Sequence, residues 1–234
     1  MKLALLLTGH LRTFYSNYDY FKRSFFDKFN TDVYLDIWDT YGYWDDNNEM
    51  GFNKETAKVN IQDLKDKLGN SLVSLRYENY NLRKKELEEK AKQFEPYKVI
   101  YPNGGFARPI NVVSMWYKRY SVVQELKDGY DRVILTRPDL QIPFTPNLKS
   151  PDLILCNSYN DSLRGYSDVF FSGSKSQIIK LANVYPYMEE MIEDGQEFCG
   201  HTLMKWWLNK SRISFKVEKY KFTLYNTPGG YCVK

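Results

Sequence analysis

Arg137, Pro138 and Asp139 follow at once on the apolar run Val133-Ile134-Leu135, which stops at Thr136. Such a run reads as a strand buried on both faces. Pro138 has no N–H to donate and suits the strand's end. An arginine and a carboxylate placed there point at a crevice, since ligands of open α/β sheets bind outside the carboxyl ends of the strands. Asp139 can hold a metal or a sugar hydroxyl, and Arg137 can neutralise an anion or orient the carboxylate. The plainer reading is an Arg–Asp pair closing a turn.

Three other places carry residues of the same kind. Thr8-Gly9-His10-Leu11-Arg12-Thr13 follows the first apolar run, Leu3 to Leu7. Gly9 there lets backbone approach a nucleotide or makes a tight turn, and Arg12 can grip phosphate. Asp36, Trp38 and Asp39 end a second strand, where a carboxylate can bind a ribose hydroxyl and an indole can stack on a base. A buried Trp with solvated aspartates is the alternative. In the later half, Glu197 is the candidate general base, and Asp194-Gly-Gln-Glu197 also has the form of a capping box. His201 shares a helix face with Glu197 if the helix begins that early.

These residues need a scaffold of alternating strands and helices. The pattern predicts strands over 3–7, 32–38, 72–77, 153–156 and 169–171, with late strands over 213–217 and 220–224. It predicts helices over 15–29, 61–68, 81–94, 176–184 and 197–208. A further helix capped by Asn111 carries the stripe Val112, Met115, Trp116, Tyr120, Val123 and Leu126, and ends at Asp128-Gly129. Residues 41–53 and 101–109 read as loops, the former long enough for a rim or lid. The alternation argues for an α/β sandwich in a single domain over 1–234.

Composition excludes several classes. The chain has 234 residues, a net charge of +4 and 20 Tyr with 14 Phe, and no basic cluster interleaved with aromatics as a nucleic-acid groove needs. Arg83-Lys84-Lys85 runs straight into Glu86, Glu88 and Glu89 and reads as a solvated helix face. Cys156, Cys199 and Cys232 form no CxxC and read as reduced thiols of a cytoplasmic protein. No run reaches the ~18 apolar residues of a membrane span, and the short N-terminal run breaks at Thr8-Gly9-His10, too early for a signal peptide.

Taken in order, Thr8-Gly-His-Leu-Arg-Thr13, Asp36-Ile-Trp-Asp39, Asn111-Val-Val-Ser-Met-Trp-Tyr117, Tyr130 to Asp139 and Tyr166-Ser-Asp-Val-Phe-Phe-Ser-Gly173 form a series. It resembles the GT-A fold nucleotide-sugar glycosyltransferases of surface-polysaccharide and viral glycan pathways, over roughly residues 1–208. The resemblance implies a GT-A-like α/β/α sandwich with a mostly parallel central sheet, one half Rossmann-like and nucleotide-binding, the other acceptor-binding. It implies a nucleoside-diphosphate sugar as donor, a glycan or other hydroxyl as acceptor, and donor or acceptor contacts from Asp168. Arg137-Pro-Asp139 would occupy the place of that family's Asp-x-Asp metal motif. Arg137 stands where the first aspartate belongs, so Asp139 alone remains to hold Mn²⁺ or Mg²⁺. Arg12 or Arg137 could instead neutralise the diphosphate without a metal. A sugar-1-phosphate nucleotidyltransferase is a weaker reading, because its glycine loop is richer than Thr8-Gly9-His10. A non-catalytic sugar- or nucleotide-binding module would need no base.

Overall fold

A computed structural model describes residues 1–42, 58–100, 108–145, 147–157, 165–220 and the backbone of 223–224. Most of the expected loops at 41–53 and 101–109, and Cys232, lie outside them. The chain opens with β1 (Lys2–Gly9), then α1 (Phe14–Phe21) running into a π-turn (Lys22–Phe26), β2 (Asn30–Trp38), α2 (Ile61–Leu68), β3 (Leu72–Glu78) and α3 (Tyr80–Lys92). It continues through α4 (Pro109–Gln124), β4 (Arg132–Thr136), β5 (Leu140–Gln141), β6 (Leu153–Asn157), β7 (Phe170–Gly173) and α5 (Lys175–Ala182). The last elements are α6 (Met188–Glu193), α7 (Gly200–Ser211), β8 (Phe215–Lys219) and β9 (Thr223–Leu224).

Seven strands form one sheet in the order β3-β2-β1-β4-β7-β6-β8. β1 pairs in parallel with β2 and β4, and β2 in parallel with β3. β7 then runs antiparallel to both β4 and β6, and β8 runs parallel to β6. The sheet is therefore mixed but mostly parallel, as expected, with β7 alone running against the other six strands. Residues 165–169, which lead into β7, are neither helix nor strand.

Alternation along β1 divides the core. Ala4 and Leu6 face one layer with α3, α4, α5, α6 and α7, whose buried residues include Trp116, Leu181 and Trp207. Leu3, Leu5 and Leu7 face the other, with Phe14, Phe21, Phe25, Leu64 and Leu68 of α1, its π-turn and α2. Helices on both faces of a central sheet make the α/β/α sandwich.

Three predicted boundaries move for identifiable reasons. The first helix does not run on to Phe29, because the chain widens into the π-turn that sets both Phe21 and Phe25 in the core. α4 begins at Pro109, which fits the first helical position, so Asn111 lies inside the first turn and is not its cap. α7 begins at Gly200 and not at Glu197. Phe198 stacks on Phe94 with ring centroids 4.0 Å apart, and its N–H donates to the Tyr97 carbonyl at 2.7 Å, holding the chain extended up to Cys199. The cap pairs Cys199 with Thr202, and Asp194 instead accepts from Trp206 Nε1 at 2.8 Å. Trp206 and Trp207 are both buried, so neither presents its ring to solvent.

Candidate functional site at the carboxyl edge of the sheet

β1, β2 and β4 run in parallel and end at one edge of the sheet, and antiparallel β7 begins there. Thr136 at the end of β4 pairs with Phe170 at the start of β7. The register thus brings Gly9, Trp38, Arg137 and Asp168 to the same edge from four positions distant in sequence. Gly9 has a φ of +104°, and an added Cβ would meet nothing within 4 Å. Its left-handed backbone turns the chain out of the strand beside open space. Thr8, one residue earlier, is buried in the sheet.

Arg12 also has a left-handed backbone, at φ +42°, fixed by its N–H to the Tyr41 carbonyl at 3.0 Å. A non-glycine residue there costs backbone energy and marks a side chain that must be aimed. Arg12 Nε donates to the Gly42 carbonyl at 2.9 Å and Nη1 to Asp139 Oδ2 at 2.8 Å. Arg137 donates Nε to Asp139 Oδ1 at 2.9 Å and Nη2 to Oδ2 at 2.7 Å. The side chain of Asp139 is 1% exposed and that of Arg137 21% exposed. Burial pushes the Asp139 carboxyl up, but Arg137 and Arg12 outweigh it and hold it below the ordinary carboxylate range.

Asp168 lies against the first turn of α7. A Cβ on Gly200 would come within 2.0 Å of its Oδ2, and His201 Nε2 is 3.7 Å from its Oδ1. A carboxylate beside a helix N-terminus is favoured by the helix dipole. Arg119 of α4 donates Nη2 to the Asp168 main-chain carbonyl, with its guanidinium over the Trp116 ring, 4.5 Å from the centroid. Burial lowers the pKa of Arg119 to about 9; Asp168 opposes the shift and Arg137 adds to it. Arg119 was not among the sequence candidates, although a signal existed. It falls three residues after Trp116 and four before Val123, a charge within an apolar stripe. We expect Gly200→Ala to displace the Asp168 carboxylate while leaving the melting temperature nearly unchanged, so ligand-dependent behaviour should move and stability should not.

The other predicted residues take different surroundings. Asp36 is fully buried, and Lys118 Nζ, fully buried as well, donates to its Oδ1 at 2.6 Å. Trp38 is buried, with Lys118 Nζ 4.0 Å from its ring centroid and Tyr117 stacked beside it. Asp39 ties the end of β2 to α3: it accepts from the Tyr80 N–H at 3.0 Å, from Asn79 Nδ2 at 2.8 Å and from Lys58. The pattern of a strand ending in carboxylates and an indole holds, but these side chains are turned into the protein and not toward the edge. His10 is buried beside Tyr80, with Nδ1–H donating to the Thr40 carbonyl at 3.0 Å. Burial, then the Arg12 charge, lower its pKa to about 3, so the ring is neutral. Glu197 is exposed on the turn before α7 and shares no helix face with His201.

The arrangement at Asp139 does not suit a divalent cation. Both carboxylate oxygens already accept from guanidinium groups. A dication about 5 Å from each arginine would be repelled by roughly 7 kcal/mol per arginine at an effective dielectric constant of about 20. Among the described residues no group of three or more His, Cys, Asp or Glu gathers to hold a metal ion.

No described helix is long and apolar enough to cross a membrane. No protein-family model matches the sequence, and no curated protein does. Among solved structures, the fold is similar to an active-site mutant of LgtC (TM-score 0.49, 6% identity, 94% of this chain and 73% of that one). It is similar also to the galactosyltransferase LgtC in complex with donor and acceptor sugar analogs (TM-score 0.48, 7% identity, 93% and 73%). A third is mouse xyloside xylosyltransferase 1 in its apo form (TM-score 0.44, 8% identity, 93% and 85%). At these scores the likenesses are distant.

Proposed function

We propose that this protein is a glycosyltransferase that moves a sugar from a nucleoside-diphosphate sugar to a hydroxyl acceptor such as a glycan. The observation that carries the reading is the convergence of Arg12 and Arg137 with the open Gly9 turn at the carboxyl edge of the parallel strands. That edge is where an α/β sheet binds its ligand, and guanidinium groups fit phosphate oxygens.

In the reaction, the bond between the anomeric carbon and the diphosphate oxygen breaks. Its electron pair leaves with the diphosphate, whose growing charge falls beside the arginines. The acceptor oxygen bonds to the anomeric carbon, and its proton passes to a base. Asp168 is our choice for that base: it is partly exposed, belongs to the same edge and is fixed by α7 and by the Arg119 bond to its backbone. Glu197, on the turn before α7, is the second candidate.

A nucleoside diphosphate should raise the melting temperature by mass action, and Gly9→Val should abolish that rise by filling the open space and straining a left-handed position. An undiminished rise in Gly9→Val would reduce Gly9 to a turn residue. A non-catalytic binding module is separated by Asp168→Asn: it would keep the thermal shift with no transfer to lose, whereas the enzyme keeps the shift and loses transfer.

A further inference from the structure

We propose that Asp139 is a positioning residue rather than a metal ligand, and that Arg137 stands in for a divalent cation at the donor diphosphate. The inference rests on the glycosyltransferase reading and specifies how the leaving group is held.

Arg137 spends two of its three nitrogens on Asp139, one on each carboxylate oxygen. A guanidinium held in this forked way has a fixed plane, so its remaining nitrogen, Nη1, has a fixed direction. That side chain is the more exposed of the two arginines, 21% against 12% for Arg12, and lies just after β4. Arg12 donates to Oδ2, the oxygen that Arg137 Nη2 also reaches, and is itself bonded to the Gly42 carbonyl. One carboxylate between two arginines leaves a net positive charge at the edge, with the sign a diphosphate requires. A cation bound to Asp139 would have to displace an arginine from it. When the donor's bond to the anomeric carbon breaks, the new charge on the diphosphate oxygen is met by Arg137, and no proton need be transferred to the leaving group.

The test is isothermal titration of the full chain with ADP, CDP, GDP, UDP and inorganic pyrophosphate, first in EDTA and then with Mn²⁺ or Mg²⁺. At least one diphosphate should bind in EDTA with a dissociation constant within about threefold of its value with metal. Arg137→Ala should weaken that binding about 10–100-fold, the loss of a charge-assisted hydrogen bond, and millimolar guanidinium ion should restore part of it. Such rescue follows from a phosphate-binding role and not from a merely structural one. Asp139→Asn should weaken binding as well, with Asp139→Glu intermediate, each measured well below its own melting temperature. Binding that appears only with Mn²⁺ or Mg²⁺ overturns the proposal while leaving the glycosyltransferase reading in place. Binding by Arg137→Ala equal to that of the parent protein overturns it too. If no diphosphate binds with or without metal, the functional reading falls first and this inference with it.

Discussion

Asp139→Ala is expected to destabilise the protein by about 3–5 kcal/mol, the loss that follows when one partner is removed from a buried ion pair. For a chain of this size that corresponds to a fall in melting temperature of roughly 6–20 °C. The cost arises because Arg12 and Arg137 would keep their charges without the carboxylate that offsets them. The same pairing makes stability depend on pH in a defined direction. The folded-state pKa of Asp139 is depressed, so its contribution is fully present above the ordinary carboxylate value of about 4. It is lost as pH falls through the lower folded value. Melting curves between neutral pH and strong acid should show this loss in the parent protein, and Asp139→Ala should lack that component. A variant as stable as the parent would mean that the arginines find other partners and that the trio is not a structural lock.

Lys118→Ala should cost a similar amount, about 3–5 kcal/mol, for a different reason. Lys118 Nζ donates to Asp36 at 2.6 Å, to Glu78 at 2.8 Å and to the Ile37 carbonyl at 3.2 Å, all at the end of β2 and β3. Burial already raises the Asp36 carboxyl pKa against the pull of Lys118. Without the lysine, that carboxylate would have to be protonated or hydrated to remain inside. The double variant Lys118→Met with Asp36→Leu should recover much of the loss, because it removes both buried charges together. Urea unfolding of the three proteins measures this directly. If Asp36 instead binds the donor's ribose, Asp36→Leu will change nucleotide affinity more than stability, and the account of Asp36 as a core ion-pair partner fails.

The fold was legible where one physical rule dominates. β1 and β4 are continuous apolar runs because both their faces are covered, and α2 ends at Gly69 as its sequence suggests. Strand ends were legible too, so Gly9, Arg12, Arg137 and Asp139 emerged as candidates before their geometry was known. What the sequence could not give was the direction a charged side chain takes. Asp36 and Trp38 share with Tyr34 the face covered by α4, and Lys118 comes to meet them from 82 residues away. Nothing in the local pattern of Asp36-Ile37-Trp38-Asp39 reveals that partner. The false cap at Asp194-Gly-Gln-Glu197 failed likewise because the stacking of Phe198 on Phe94 is tertiary. Asp139 lay between these cases: its pairing with Arg137 was one of the readings offered, and the second arginine was not.

The position of β1 within the sheet also sets a timetable for folding. β1 pairs with β2, which follows after about 20 residues, but its other neighbour is β4, whose partners lie about 130 residues further on. At ribosomal rates of about 5–20 residues per second, the chain waits roughly 7–26 s before β4 can dock. Through that interval the Leu-rich β1 keeps one open edge, the kind of strand edge that recruits other chains. Yield on overexpression should therefore respond to translation rate and to chaperone supply more than to the stability of the finished fold.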